Sequence, residues 1–201
     1  MAVNDGSSAQ HSQVSELTVT FNEPVDISDI AGAFVVKDAQ GNPLSINVII
    51  AAGTDNGDNT ATGVTMVLIT FNGDATHTIT FTNPDVFGNT VGLKDGNFFL
   101  NMDGTKIGAN GVLLDYNHTG NPGTGGTEID EFWRLYGDQD GNRTVDDLDY
   151  GPGGGTTFED TLSSTSADPN YLWYFDLDMD GNINGVDDDQ MIANMFRYLA
   201  P

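Results

Sequence analysis

Over the first 126 residues, apolar and polar positions alternate with the period of two that a half-buried strand requires. The clearest run is Val14-Ser15-Glu16-Leu17-Thr18-Val19-Thr20-Phe21, which Asn22-Glu23-Pro24-Val25 is expected to end. Further strands are predicted over 33–37, 44–51, 63–71, 77–81 and 97–102. Polar turn clusters separate them: Asp38-Ala39-Gln40-Gly41-Asn42-Pro43, a loop over 54–59, the hairpin signal Asn72-Gly73-Asp74, and the pairs Asp95-Gly96 and Asp103-Gly104. Short strands cut by such turns every 8–12 residues predict a β-sandwich.

After residue 126 the period changes. Gly120-Asn121-Pro122-Gly123-Thr124-Gly125-Gly126 reads as a flexible linker. Thr127 then stands as an N-cap with Asp130 three residues on, and Ile129, Phe132, Trp133 and Tyr136 share one helical face, so a helix is predicted over 128–136. A helix after Asp149 should stop within a turn at Gly151-Pro152-Gly153-Gly154-Gly155. Helices are also predicted over 158–162, 170–175 and 186–199, the last with Ile192, Met195, Phe196 and Leu199 on one face. The expected fold class is mainly β with a small α part. The expected domains are 1–119, a linker at 120–126, and 127–201.

Two acidic loops lie between these helices. Asp176-Leu177-Asp178-Met179-Asp180-Gly181-Asn182-Ile183-Asn184-Gly185-Val186-Asp187 has carboxylates at positions 1, 3, 5 and 12 of a twelve-position loop. Gly181 takes position 6, where the backbone turns sharply, Ile183 is the apolar tether at position 8, and Asn184 holds position 9. This is the EF-hand pattern: calcium takes six to eight oxygens, so a short loop aims alternate side chains inward. A second copy starts 38 residues upstream, with Asp138, Asp140, Asn142 and Asp149 at positions 1, 3, 5 and 12, Val145 as tether and Asp146 at position 9. The position 7 residues, Thr144 and Asn182, would offer backbone carbonyls. Arg143 stands where Gly is expected. A non-glycine residue with positive φ costs about 1 kcal/mol, so the first loop is predicted to be the weaker site. Sliding the register to place Gly141 at position 6 would put Tyr136, a poor ligand, at position 1.

Composition sharpens this picture. Thirty acidic residues against six basic ones give a net charge of −24, and residues 127–201 alone hold 17 acids and 3 arginines. That balance argues against nucleic acid, which needs a basic patch, and against an anionic membrane surface. A folded part so negative repels itself unless cations are bound. With no cysteine there are no disulfides, thiol nucleophiles or Cys-based metal sites. No run of 18 apolar residues and no signal peptide is present, and the opening reads as a fragment of a longer exported protein. Millimolar calcium outside cells suits loops of this kind.

Two resemblances follow from quoted residues. Leu-Thr-Val-Thr-Phe-Asn-Glu-Pro-Val at 17–25, Ala-Phe-Val-Val-Lys-Asp-Ala-Gln-Gly-Asn-Pro at 33–43 and Leu-Lys-Asp-Gly-Asn-Phe-Phe-Leu at 93–100 resemble bacterial Ig-like domains of surface proteins. Phe132-Trp133-Arg134-Leu135-Tyr136-Gly137-Asp138 and Tyr171-Leu172-Trp173-Tyr174-Phe175-Asp176, each followed by its loop, resemble dockerin modules, most closely the dockerin-like C-terminal regions of planctomycete-type surface proteins. The resemblance implies an Ig-like β-sandwich followed by a paired EF-hand helical module holding two Ca²⁺. One ion would lie at Asp138, Asp140, Asn142, Thr144 and Asp149, the other at Asp176, Asp178, Asp180, Asn182 and Asp187. It also implies a protein partner, cohesin-like or a neighbouring surface module, and an extracellular or cell-surface setting. The interrupted helix after Asp149 departs from the dockerin pattern.

No catalytic motif, phosphate loop or dinucleotide fingerprint occurs. His11, His77 and His118 are scattered, which reads as surface placement. Trp133, Trp173, Tyr136, Tyr171, Tyr174 and Phe175 either pack the two loops together or form a sugar platform, and the first reading is preferred because each lies beside a loop start. The expected function is therefore a non-enzymatic calcium-binding module for attachment or assembly, with a carbohydrate-binding or enzyme-accessory module as the alternative.

Overall fold

The computed structural model describes residues 1–4, 10–71, 78–79, 90–91, 93–115, 126–151 and 157–201. It is mainly β with a small α part, in chain order β1 (Ala2–Val3), β2 (Glu16–Ile27), α1 (Ile30–Ala33), β3 (Phe34–Asp38), β4 (Asn47–Asp55), β5 (Ala61–Thr70), β6 (Thr78–Ile79), β7 (Thr90–Val91), β8 (Gly96–Asp103), β9 (Ile107–Ala109), β10 (Val112–Leu113), β11 (Thr127–Arg134), α2 (Asp147–Tyr150), α3 (Phe158–Thr161) and α4 (Gly185–Asn194). Among the described residues no helix is long and apolar enough to cross a membrane. The chain forms two compact units, each built from separated segments: Met1–Gly6, Glu16–Asn72 and Phe98–Phe132 make one, and Ser7–Ser15, Gly73–Asn97 and Trp133–Pro201 the other. The sequence boundary was a single cut with a linker at 120–126. Of that linker only Gly126 lies within the described residues.

The first unit holds a sheet in the order β10-β9-β2-β5-β4, with β1 also paired to β2, and a sheet in the order β11-β8-β3. The alternation that predicts these strands is the alternation of burial. Leu17, Val19, Val64, Val67 and Ile69 are buried on β2 and β5, and Phe34, Val36, Phe98, Leu100 and Met102 on β3 and β8. Each full burial contributes about 1.5–3 kcal/mol. The rings of Phe71 and Phe98 lie 6.0 and 5.4 Å from Phe132.

Two expectations change here. Strand β2 does not end at Pro24; it runs to Ile27 with a register shift between Thr20 and Val25. Proline has no N–H to give a ladder, and the irregularity places it where no partner is required. Beyond the shift, Asp26 and Ile27 pair with Gly108 and Ile107 of β9. The helix predicted over 128–136 is instead β11, paired along β8. Its inward residues are Phe132 and Arg134, two apart, while Ile129 is 59% exposed. The helical spacing of its apolar residues was coincidental, because an open edge on β8 offered a full ladder to a β-branched and aromatic segment. The strand predicted over 77–81 is described only at Thr78–Ile79, which pair with Thr90–Val91, and the turn at 72–74 lies outside the described residues. His77 and His118 lie outside them as well.

In the second unit, α2 stops after one turn as its Gly-Pro sequence requires, and α3 resumes close to its expected place. The helix expected over 170–175 is only a 3₁₀ turn at Trp173–Phe175. Helix α4 ends at Asn194, short of residue 199. Phe196 then takes φ 63° and turns the chain; Ile192 and Phe196 are 54% and 74% exposed, and Met191 is the apolar residue buried from this helix, beside the polar Asp187 and Asn194.

Candidate metal centre

The two acidic loops fold alike, residue by residue. Position 1 accepts twice: Asp138 takes the N–H groups of Asn142 and Arg143 at 3.0 and 3.1 Å, and Asp176 those of Asp180 and Gly181 at 3.1 and 2.8 Å. Position 3 accepts from the position 5 N–H, in Asp140–Asn142 and Asp178–Asp180. Position 5 accepts from position 7, in Asn142–Thr144 and Asp180–Asn182. Position 12 closes each loop. Asp149 accepts from Gln139 and Asp146 at 2.8 and 2.9 Å, and Asp187 from Leu177 and Asn184 at 2.7 and 2.8 Å. Position 9 is an N-cap: Asp146 accepts from Leu148 N–H and Asn184 from Val186 N–H, both at 2.8 Å. This agreement pairs Arg143 with Gly181.

The likeness extends past the loops. Five residues before each first aspartate an aromatic side chain donates to it: Trp133 Nε1 to Asp138 Oδ2 at 2.9 Å, and the Tyr171 hydroxyl to Asp176 Oδ2. The tether at position 8 is held by a short tail that follows the opposite loop's exit helix. Val145 N–H donates to Arg197 O and its carbonyl accepts from Phe196, at 3.0 and 2.6 Å. Ile183 does the same with Ser164 and Ser163, at 2.9 and 2.8 Å. Phe196 and Ser163, which open the two tails, share the left-handed conformation, with φ of 63° and 71°. The tails therefore cross over between the two halves.

Each loop converges carboxylates. One oxygen each from Asp138, Asp140 and Asp149 lies within 4.8 Å of the others, and so do those of Asp176, Asp178 and Asp187. Asp180, exposed, is outside the second group, while Asn142 and Asp180 both orient the turn at position 7. The Asp146 and Asn184 side chains face helix N-termini. Asp138, Asp149 and Asp187 are fully buried and Asp176 is 1% exposed. Burial pushes Asp149 and Asp187 up to about 6, and the neighbouring loop aspartates add to this by repulsion. Burial likewise raises Asp138 and Asp178. An all-oxygen set of close carboxylates, two of the three buried in each loop, fits a hard cation.

The aromatic residues do pack the loops. Leu135, Tyr136, Val145, Phe158, Phe175, Leu177, Ile183 and Met191 form one buried cluster, with Trp133, Tyr171 and Tyr174 against it. Gly137, at φ 101°, permits close packing: a Cβ there would lie 2.6 Å from Met191 Sδ and 2.9 Å from Val145 Cγ1. Trp173, 41% exposed, lies outside this cluster and meets the Tyr174 ring edge-on at 6.0 Å.

Two groups of residues were not found from the sequence. Asp95 accepts from Arg134 Nη1 and Tyr136 N–H through one oxygen, and from Arg197 and Asn194 through the other. It thus ties the entry of the first loop to the end of the second loop's exit helix. Residues 10–13 are the second group. Gln10, Ser12 and Gln13 are buried polar residues, and His11 is stacked on Trp133 at 3.7 Å rather than lying on the open surface. No local signal marks either group, because their partners lie far along the chain. Comparison with protein-family models, with curated proteins and with solved structures finds no match for this chain.

Proposed function

We propose that this chain is a non-enzymatic calcium-binding module of an exported or cell-surface protein, in which a dockerin-like pair of EF-hand loops is joined to an Ig-like β-sandwich that serves as spacer. One observation carries the reading: two loops repeat the same hydrogen bonds position by position, and each gathers three carboxylates, two of them buried, with converging oxygens. Asp138, Asp140 and Asp149 would hold one Ca²⁺ and Asp176, Asp178 and Asp187 the other, with Asn142, Asp180 and the carbonyls of Thr144 and Asn182 completing the shells. The ion supplies charge neutralisation. Carboxylates that repel one another in its absence become its ligands, so binding energy is folding energy. The net charge of −24 supports a cation over an anionic partner.

The role is attachment or assembly, through a cohesin-like or neighbouring surface module. The carbohydrate-binding alternative draws on the exposure of Trp173. Its ring stands at 82° to Tyr174, which offers no flat pair for a sugar face, so the observation gives it less support. The test is calorimetric titration of the full chain with CaCl₂, alongside thermal melting with and without chelator. Two bound ions and a melting temperature that falls in chelator are expected. Absence of binding heat, with melting unchanged in chelator, would refute the reading.

A further inference from the structure

Residues 10–13 lie across the first residues of both loops. His11 N–H donates to the Asp138 carbonyl at 2.8 Å, and the Gln13 side-chain amide donates to the Asp176 carbonyl at 3.1 Å. Between them, Ser12 Oγ accepts from Gly137 N–H at 2.9 Å and donates to the Tyr174 carbonyl at 2.8 Å. The His11 carbonyl accepts from Leu135 N–H at 3.0 Å, and Gln10 and Gln13 bond reciprocally at 3.1 Å. Ser12 is fully buried, and Gln10 and Gln13 are each 2% exposed.

We propose that residues 10–13 form a strap that fixes the position 1 aspartate of both loops, with Ser12 and Gln13 as positioning residues, and that seating the strap and loading the ions are one event. The inference rests on the calcium reading above. A buried polar side chain is tolerated only while its hydrogen bonds are made. The strap's polar groups find partners in the backbone of the two loop entries, which an ion drawn to position 1 would hold in place. Losing the ion lets the buried aspartates separate, the acceptors at Asp138 and Asp176 move, and the strap is better served by water. Conversely, the strap holds two carbonyls at a fixed spacing, so both loops meet the ion already in place.

The experiment is hydrogen exchange of the full chain, read on peptides covering 10–15 and both loops, during a CaCl₂ titration followed in parallel by calorimetry. Strap amides are expected to exchange freely in chelator and to gain protection over the same calcium range as the loops. Gln13→Ala is expected to weaken calcium binding about tenfold, the effect of one lost buried hydrogen bond, and Ser12→Ala, which loses two, by at least as much. They should also shrink the gap between melting temperatures with and without calcium. A purely structural role would lower both melting temperatures alike and leave the gap unchanged. Strap protection that is equal with and without calcium, or wild-type affinity in both variants, would overturn the inference while leaving calcium binding intact. Absence of any binding heat would overturn the calcium reading and this inference together.

Discussion

Arg143 and Gly181 hold the same station in the two loops, with φ of 70° and 86°. A charged, long-chain residue thus adopts the left-handed conformation that its loop position demands. Two stations earlier the assignment is reversed: Gly141 has φ 73° and Met179 has φ 56°. Each loop has two left-handed positions and gives glycine to one of them. The asymmetry expected from Arg143 alone is therefore matched by Met179, and backbone strain no longer ranks the two sites.

The two strained residues differ in what they gain. Arg143 lies 4.0 Å over the Trp133 ring and donates to Asn97 at 2.9 Å, whereas Met179 is 49% exposed. Met179→Gly should stabilise the chain by a few tenths to about 1 kcal/mol. Arg143→Gly should give less or none, because the stacking it removes is worth about 0.5–1 kcal/mol. Urea denaturation of both variants checks the order.

Asp95 should be the most costly single removal among the residues outside the loops. Arg134 is 2% exposed, its Nη1 bonds Asp95, and its Nε and Nη2 find no hydrogen-bond partner among the described residues. Asp95→Ala strands that guanidinium in the interior, and breaking a buried pair this way costs about 3–5 kcal/mol. Urea midpoints for this variant and for Asp189→Ala, an exposed control on α4, measure the difference.

Gly137→Ala places a methyl group against Met191 and Val145 at a positive φ. Overpacking of this kind costs about 1–3 kcal/mol before the backbone conformation is counted. The melting temperature should fall, and Gly137→Ala should cost less in a Met191→Ala background than in the unaltered chain, because the Sδ it meets is gone.

Acidity should act in opposite directions on the free and loaded chains. Asp149 and Asp187 rise from an ordinary 3.8 to about 6 on folding. The folded chain therefore binds these protons more tightly than the unfolded chain, and between about pH 6 and 4 the stability of the calcium-free protein rises as pH falls. If the loops hold calcium as proposed, protons compete with it for the same oxygens, and the stabilisation due to calcium should shrink over the same interval. Scanning calorimetry of dialysed and calcium-loaded samples from about pH 7 to 5 checks both signs. A calcium-free melting temperature that drops on acidification would contradict the argument.

What was legible in the sequence was local. The alternation through Leu17, Val19, Val64 and Val67 set the strands, and the spacing from Asp176 to Asp187 set a loop whose position 1, 9 and 12 side chains bond within twelve residues. What was not legible depended on distant partners. The 129–136 apolar spacing fitted a helix until the β8 edge was available to pair with. The left-handed turn at Met179 was hidden because attention falls on the glycine at position 6. Ser12 carries no mark and Asp95 only that of a turn, since a serine or aspartate reveals such a role only when the carbonyls and guanidinium it meets are known.

The crossing of the two tails bears on ancestry and on truncation. Each half of the pair carries a tail aimed at the other half's tether, so a solitary half would leave its own loop open and its own tail idle. It could be completed only by exchanging tails with a second copy. Fusing two such copies end to end would turn an encounter between molecules into an internal one. Residues 196–201 then belong, energetically, to the loop that begins at Asp138, and removing them would open that loop while sparing the one that begins at Asp176.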